Sequence, residues 1–116
     1  MCLTKTHRLP KISRKPIQVY KVFIHEDDML ITPYQHYACQ VGDTITTENS
    51  WLRSIFKNKI EGEGVHAFIN KYMAKRHTSY FHHIYLCEIP HFTPYWIGTD
   101  GEIAASKMII KEKVEL

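Results

Sequence analysis

Residues 17–24, Ile-Gln-Val-Tyr-Lys-Val-Phe-Ile, are β-branched and aromatic on both alternating faces. Ile17, Val19 and Phe23 share one face with Lys21, while Tyr20, Val22 and Ile24 share the other. A strand apolar on both sides buries both sides, which places it in the middle of a sheet. A second strong strand covers residues 80–89, where Phe81, His83, Tyr85, Cys87 and Ile89 alternate with His82, Ile84, Leu86 and Glu88. Neither segment is followed by the amphipathic helix of 10–15 residues that a parallel crossover requires, so the predicted pairing is antiparallel.

Shorter segments fill in around this pair. The turn His25-Glu26-Asp27-Asp28 leads to Met29-Leu30-Ile31 as a hairpin partner. Pro33 interrupts, residues 34–41 read as a strand ended by Gly42-Asp43, and 44–47 continue into another. Ser50 is placed to cap a short helix whose apolar face is Trp51, Leu52, Ile55 and Phe56. Residues 61–64, Glu-Gly-Glu-Gly, read as a flexible turn and 65–69 as a short strand, and Asn70 is placed to cap one or two helical turns over 71–77. Pro90 and Pro94 bracket a loop, 95–97 form a short strand, 98–101 a tight turn, and 107–114 a closing strand. The expected fold is a single α+β domain over residues 17–116. It is dominated by an antiparallel, strongly curved sheet, barrel-like in outline, with two short helices packed on it. A chain of 116 residues with 44% hydrophobic and 23% charged residues carries enough apolar material for one core, which excludes a disordered or fibrous chain.

Residues 1–16 differ from the rest. They hold Lys5, Arg8, Lys11, Arg14 and Lys15, two prolines and no acidic residue, which predicts an extended arm or a frayed tail. Leu3, Leu9 and Ile12 are the groups available to pin it to the domain. The overall net charge of +3 conceals this asymmetry. Residues 1–25 contain six Lys/Arg and no acid, whereas the remainder contains nine Lys/Arg against twelve Asp/Glu. Such an arm would contact phosphates without reading sequence, through Lys5, Arg8, Lys11, Arg14 and Lys15. No aromatic is interleaved with these residues, so the arm itself offers no stacking platform, and a solvated tail is the plainer reading.

The apolar runs are too short for a membrane-spanning helix, and no apolar stretch follows the basic N-terminal residues as a signal peptide would need, so a cytoplasmic location is expected. The three cysteines, Cys2, Cys39 and Cys87, cannot all pair within one chain and form no CxxC. Cys39 and Cys87 fall in strands, where a reduced, buried thiol is the ordinary case.

Eight histidines invite a metal reading, but none of the characteristic local zinc spacings occurs, and adjacent His82 and His83 point to opposite faces of their strand. Neither a metal nor a cofactor is expected. His66, in Gly64-Val65-His66-Ala67-Phe68, follows a glycine into a strand and is a candidate for the mouth of a cleft, against the plainer reading of a half-exposed edge residue. Tyr34, in Tyr34-Gln35-His36-Tyr37, is a candidate groove-lining aromatic or ordinary sheet packing. Glu102, after the hairpin signal Asp100-Gly101, is a candidate general base or ribose-hydroxyl ligand, against a solvated turn residue.

The order of segments carries a resemblance. Met-Cys-Leu at 1–3, YKVF at 20–23, TPYQHY at 32–37, GVHAF at 64–68 and IPHFTPYWIGTDGEIAASKMIIKE at 89–112 recur together. The arrangement resembles small uncharacterised proteins of gut Bacteroidetes and their phages, which share an MCL start, a YKV strand, an SPYQ-like segment, a G-[FY]-HAF segment and an IPKGTxYYIGxxGExAS stretch. The resemblance covers nearly the whole chain and implies no activity. His91-Phe92 stands where that pattern has Lys-Gly, which implies a different turn there. A more distant similarity, resting on Glu102 before a late strand, is to ADP-ribosyltransferase-like domains. It implies a nucleotide- or ADP-ribosyl-handling enzyme with His66, Tyr34 and Glu102 lining one cleft. Against it, no His-Gly-Thr or Ser-Thr-Ser element accompanies Tyr20-Lys21, and the chain is short for that fold.

The leading expectation is therefore a non-enzymatic binding or accessory module acting through protein contacts, with a protein partner or a second copy of the chain as the occupant. The enzyme reading and weak nucleic-acid binding through the basic arm are the alternatives.

Overall fold

Val19 and Phe23 have no exposed surface, and the strand that carries them, β3 (Ile17–Glu26), pairs along most of its length with β9 (His82–Ile89), from Ile17–Ile89 to Ile24–His82. The computed structural model describes residues 2–4, 6, 9–26, 29–32, 38–46, 59–61, 65–78 and 82–115. On its other side β3 meets β8 (Val65–Phe68) at Tyr20–Phe68, and it turns back through a hairpin into β4 (Met29–Ile31), which pairs with β5 (Ala38–Cys39). The strand that is apolar on both faces is thus central, as its composition requires.

From this centre the sheet extends in both directions, every pairing antiparallel. Beyond β8 lie β11 (Glu102–Ala105), β10 (Pro94–Ile97) and β2 (Lys11–Ile12). Beyond β9 lie β12 (Lys107–Lys113), which carries a register shift between Ile110 and Glu112, and β6 (Thr44–Thr46). A separate two-stranded pair joins β1 (Cys2–Thr4) to β7 (Lys59–Glu61). Glu61 therefore ends a strand rather than opening a turn.

One face of the sheet forms the main core: Val19 and Phe23 with Val65, Ala67, Tyr85, Cys87, Ile89, Ile103, Met108 and Ile110. Ile45 on β6 and Tyr95 on β10, from opposite ends of the strand order, pack against this one cluster. Strands spaced about 4.8 Å apart cannot do that in a flat sheet, so the sheet curls around its own side chains. It does not close into a barrel. The strand order ends at β2 on one side and β6 on the other, with no pairing between them among the described residues.

The opposite face carries Val22, Phe68 and Ile84 and is covered by α1 (Lys71–Arg76), through Ala74 and Met73. Asn70 starts this helix as expected: its Oδ1 accepts from the backbone N–H of Tyr72 at 2.7 Å and of Met73 at 3.4 Å. The second expected helix, over residues 50–56, lies outside the described residues.

One strand, β11, was not foreseen, because Ile-Ala-Ala offers little β propensity. Here small side chains are what the packing needs: Ala104 and Ala105 are almost fully buried, where β11 passes between two neighbouring strands under tight cover. The arm is extended and bonded to the sheet rather than solvated. Thr6 donates to the Ile97 carbonyl, and the Thr4 carbonyl accepts from Thr99. Of the apolar residues expected to pin it, Leu9 is 62% and Ile12 49% exposed, and the Leu3 side chain lies outside the described ones. The anchor is Ser13.

Candidate functional site

Two of the three residues expected to line a cleft lie on neighbouring strands. Ala104 is opposite His66 and Phe68 is opposite Glu102, so His66 and Glu102 share a face as diagonal neighbours. Such positions are roughly 7–8 Å apart. Tyr34 lies outside the described residues. Glu102 is not the solvated turn residue that the Asp-Gly signal suggested: it begins β11 and is 8% exposed. Its cross-strand partner Phe68 is covered by the His77 ring, stacked at 4.7 Å, at the C-terminal end of α1. Burial raises the Glu102 pKa, and the nearby His77 opposes that rise. Met73 of the same helix lies against Gly101, where a β-carbon would meet Met73 Cγ and Cε at 3.3 Å. The helix thus packs down over the hairpin that precedes Glu102, and the carboxyl is held under cover.

The main core contains a polar group that residue type alone did not single out. Lys21 lies on the face shared with Val19 and Phe23, directly opposite Tyr85, and is buried. Its Nζ donates to the His66 carbonyl at 2.6 Å and lies 5.8 Å from the Phe23 ring centroid. Burial lowers its pKa from 10.5 to about 8, with Cys87 and Cys39 working against the fall. The two thiols are free and buried; burial pushes Cys87 up to about 12 and also raises Cys39, so both are protonated, unreactive packing groups.

At the end of the same strand pair, His25 and His83 stack at 3.8 Å, and His25 Nε2 lies 2.9 Å from the Tyr85 hydroxyl. Parallel rings in a stack cannot direct their in-plane lone pairs at one ion. Among the described residues no three His, Cys, Asp or Glu side chains group to hold a metal.

The remaining site is the sheet edge where the arm meets the 90–93 turn. Ser13 Oγ donates to the Pro90 carbonyl and accepts from the Thr93 N–H at 2.9 Å. Its backbone N–H donates to Thr93, and its carbonyl accepts from Phe92. Four hydrogen bonds on one serine, itself 1% exposed, lock the arm to the turn. Lys11, Arg14 and Lys15 flank this anchor and are exposed; Lys5 and Arg8 lie outside the described residues. Ile12, opposite Pro94, and Phe92, whose N–H is bonded to Ser13 and whose ring is 73% exposed, lie at this edge. Phe92 has φ +58, the left-handed region that a glycine fills without strain. The pairing of this aromatic with the basic arm is invisible in sequence, because the two come from opposite ends of the chain.

No family model, curated protein or solved structure matches the chain. Among the described residues no helix is long and apolar enough to cross a membrane.

Proposed function

We propose that this protein is a non-enzymatic binding module of the cytoplasm that works through contacts with a negatively charged macromolecule at its arm-and-turn edge. The observation that carries the reading is the bonding of the 90–93 turn, with exposed Phe92, to Ser13 of the arm, where Lys11, Arg14 and Lys15 are exposed. Neither residues 9–25 nor residues 89–99 contain a single carboxylate side chain, so the two segments that form this edge carry only positive charge of their own. Glu102, the acid on which the enzyme alternative depends, is by contrast buried against Phe68 and His77. The resemblance to small proteins of gut Bacteroidetes and their phages is compatible with this reading, since it implies no activity.

The test uses the full chain on immobilised heparin, as a generic polyanion, together with assays for turnover of NAD⁺ and nucleoside triphosphates. Retention is expected to weaken in the combined variant Lys11→Glu, Arg14→Glu, Lys15→Glu and to be unchanged in Glu102→Gln. Retention that ignores the charge reversal overturns the reading. So does turnover that Glu102→Gln abolishes.

A further inference from the structure

Phe92 is disfavoured at its position on two counts. It is 73% exposed, so its ring contributes little burial, and at φ +58 its β-carbon crowds the backbone in a way glycine avoids. It is the only non-glycine residue with positive φ among those described. Packing and backbone preference both fail to account for the side chain, and such outliers point towards function. The ring is not isolated: the His91 ring lies 4.8 Å away at 59°, and the Phe92 N–H is bonded to the carbonyl of Ser13, the residue that precedes Arg14. Two exposed rings therefore sit on the turn that the Ser13 hydrogen bonds tie to the arm segment carrying exposed Lys11, Arg14 and Lys15.

We propose that this edge binds single-stranded nucleic acid, with bases stacking on Phe92 and His91 and phosphates met by Lys11, Arg14 and Lys15. The proposal rests on the reading of this edge as the binding surface and names its partner. Charge complementarity selects a polyanion, and exposed π-faces next to the cations select one whose repeating unit carries a flat ring. An acidic protein segment would satisfy the cations but gives the strained ring no matching partner. The sequence of the arm lacks an aromatic among its basic residues; the fold supplies one from the 90–93 turn.

Fluorescence anisotropy of the full chain tests this, with a short labelled oligo-dT, an abasic oligomer of the same length and polyglutamate as probes. Oligo-dT is expected to bind more tightly than the abasic strand by about 5- to 150-fold per stacked base. Phe92→Gly is expected to reduce oligo-dT affinity to the abasic level without lowering thermal stability, because glycine suits this backbone. Phe92→Tyr, which keeps the ring, is expected to retain the affinity. Three phosphate contacts give a slope of log affinity against log salt of about −2, reduced by about 0.7 in Arg14→Gln. Equal affinity for oligo-dT and the abasic strand, or an unchanged Phe92→Gly, overturns the proposal. Polyglutamate binding without base dependence, while heparin retention stays charge-dependent, overturns nucleic acid as the partner and leaves the binding edge standing. Loss of charge-dependent heparin retention removes the underlying reading as well.

Discussion

The Lys21 ammonium donates to the backbone carbonyl of His66 at 2.6 Å, at the place where β3 and β8 separate. The described ladder between these strands consists of the Tyr20–Phe68 pair, so beyond it the lysine side chain continues the connection that backbone groups make elsewhere. A cation in this position is costly, because little solvent reaches it and the surrounding groups are Val19, Phe23, Tyr85 and Cys87.

That cost has a pH signature. The folded protein holds the Lys21 pKa near 8 against 10.5 for the unconstrained side chain. Between these values the unfolded chain binds more protons than the folded one, so stability rises with pH through the window. The full effect is on the order of 3 kcal/mol, from 1.36 kcal/mol per pKa unit. Denaturant unfolding is expected to show this rise in the wild type and not in Lys21→Met. A rise of equal size in both proteins would show that other groups produce it.

Ser13 is the corresponding keystone of the arm. Ser13→Ala removes the hydroxyl that donates to Pro90 and accepts from Thr93, leaving two partners unsatisfied beside the fully buried Thr93 side chain. Each orphaned buried group costs roughly 1–3 kcal/mol. Ser13→Ala is expected to lower stability by about that amount and to accelerate amide exchange at residues 9–13. Ile12→Ser, at a half-exposed position next door, is expected to stay within about 0.5 kcal/mol of wild type. Equal effects of the two substitutions would place the anchor in the apolar contacts instead.

Much of the sheet was legible because its strongest signals are local. The alternation in residues 17–24 and 80–89, the Asn70 cap and the 29–31 hairpin partner depend on neighbours in sequence; the described strands run over Ile17–Glu26 and His82–Ile89, with His25 and Glu26 in the ladder rather than the turn. The failures are non-local. β11 is a strand because its backbone groups complete the ladders of β8 and β10, a pairing that Ile-Ala-Ala does not announce. The burial of Glu102 comes from a helix that starts thirty-one residues earlier, at Lys71, and folds back over its hairpin. Lys21 was not singled out from the sequence, because the His66 carbonyl that receives it is forty-five residues away. The edge site combines residues 9–15 with 90–93, a pairing that only the strand order brings about.

Burial raises the Glu102 pKa, so the folded state favours the protonated carboxyl. The sign follows directly. Glu102 contributes stability at pH values below its unfolded pKa, about 4.3, and loses it as pH rises through the folded value. At neutral pH Glu102→Gln, which keeps the shape without the charge, is expected to unfold at a higher temperature than wild type. The difference is expected to vanish near pH 4. A Glu102→Gln protein that melts lower than wild type at neutral pH would show instead that the ionised carboxylate is held by a strong partner, with His77 the nearest cation to supply it.

The stacked His25–His83 pair gives the opposite dependence on β3 and β9. Burial lowers the His25 pKa from 6.5, and the neighbouring His83 and Lys113 add to the fall. Tyr85, whose hydroxyl lies 2.9 Å from His25 Nε2, has its own pKa raised by burial and by Glu115, so it stays neutral throughout the range in which His25 titrates. The groups acting on His25 are thus His83, Tyr85 and Lys113, while Glu115 acts on the tyrosine. As pH falls through 6.5 the unfolded chain takes up a proton that the folded one resists, and stability drops until His25 also protonates. Thermal melts between pH 7 and pH 5 are expected to fall in the wild type and to flatten in His25→Gln, which does not titrate and retains a group able to hydrogen-bond Tyr85. If the two proteins lose stability in parallel, the acid sensitivity belongs to other histidines and the stack is neutral in effect.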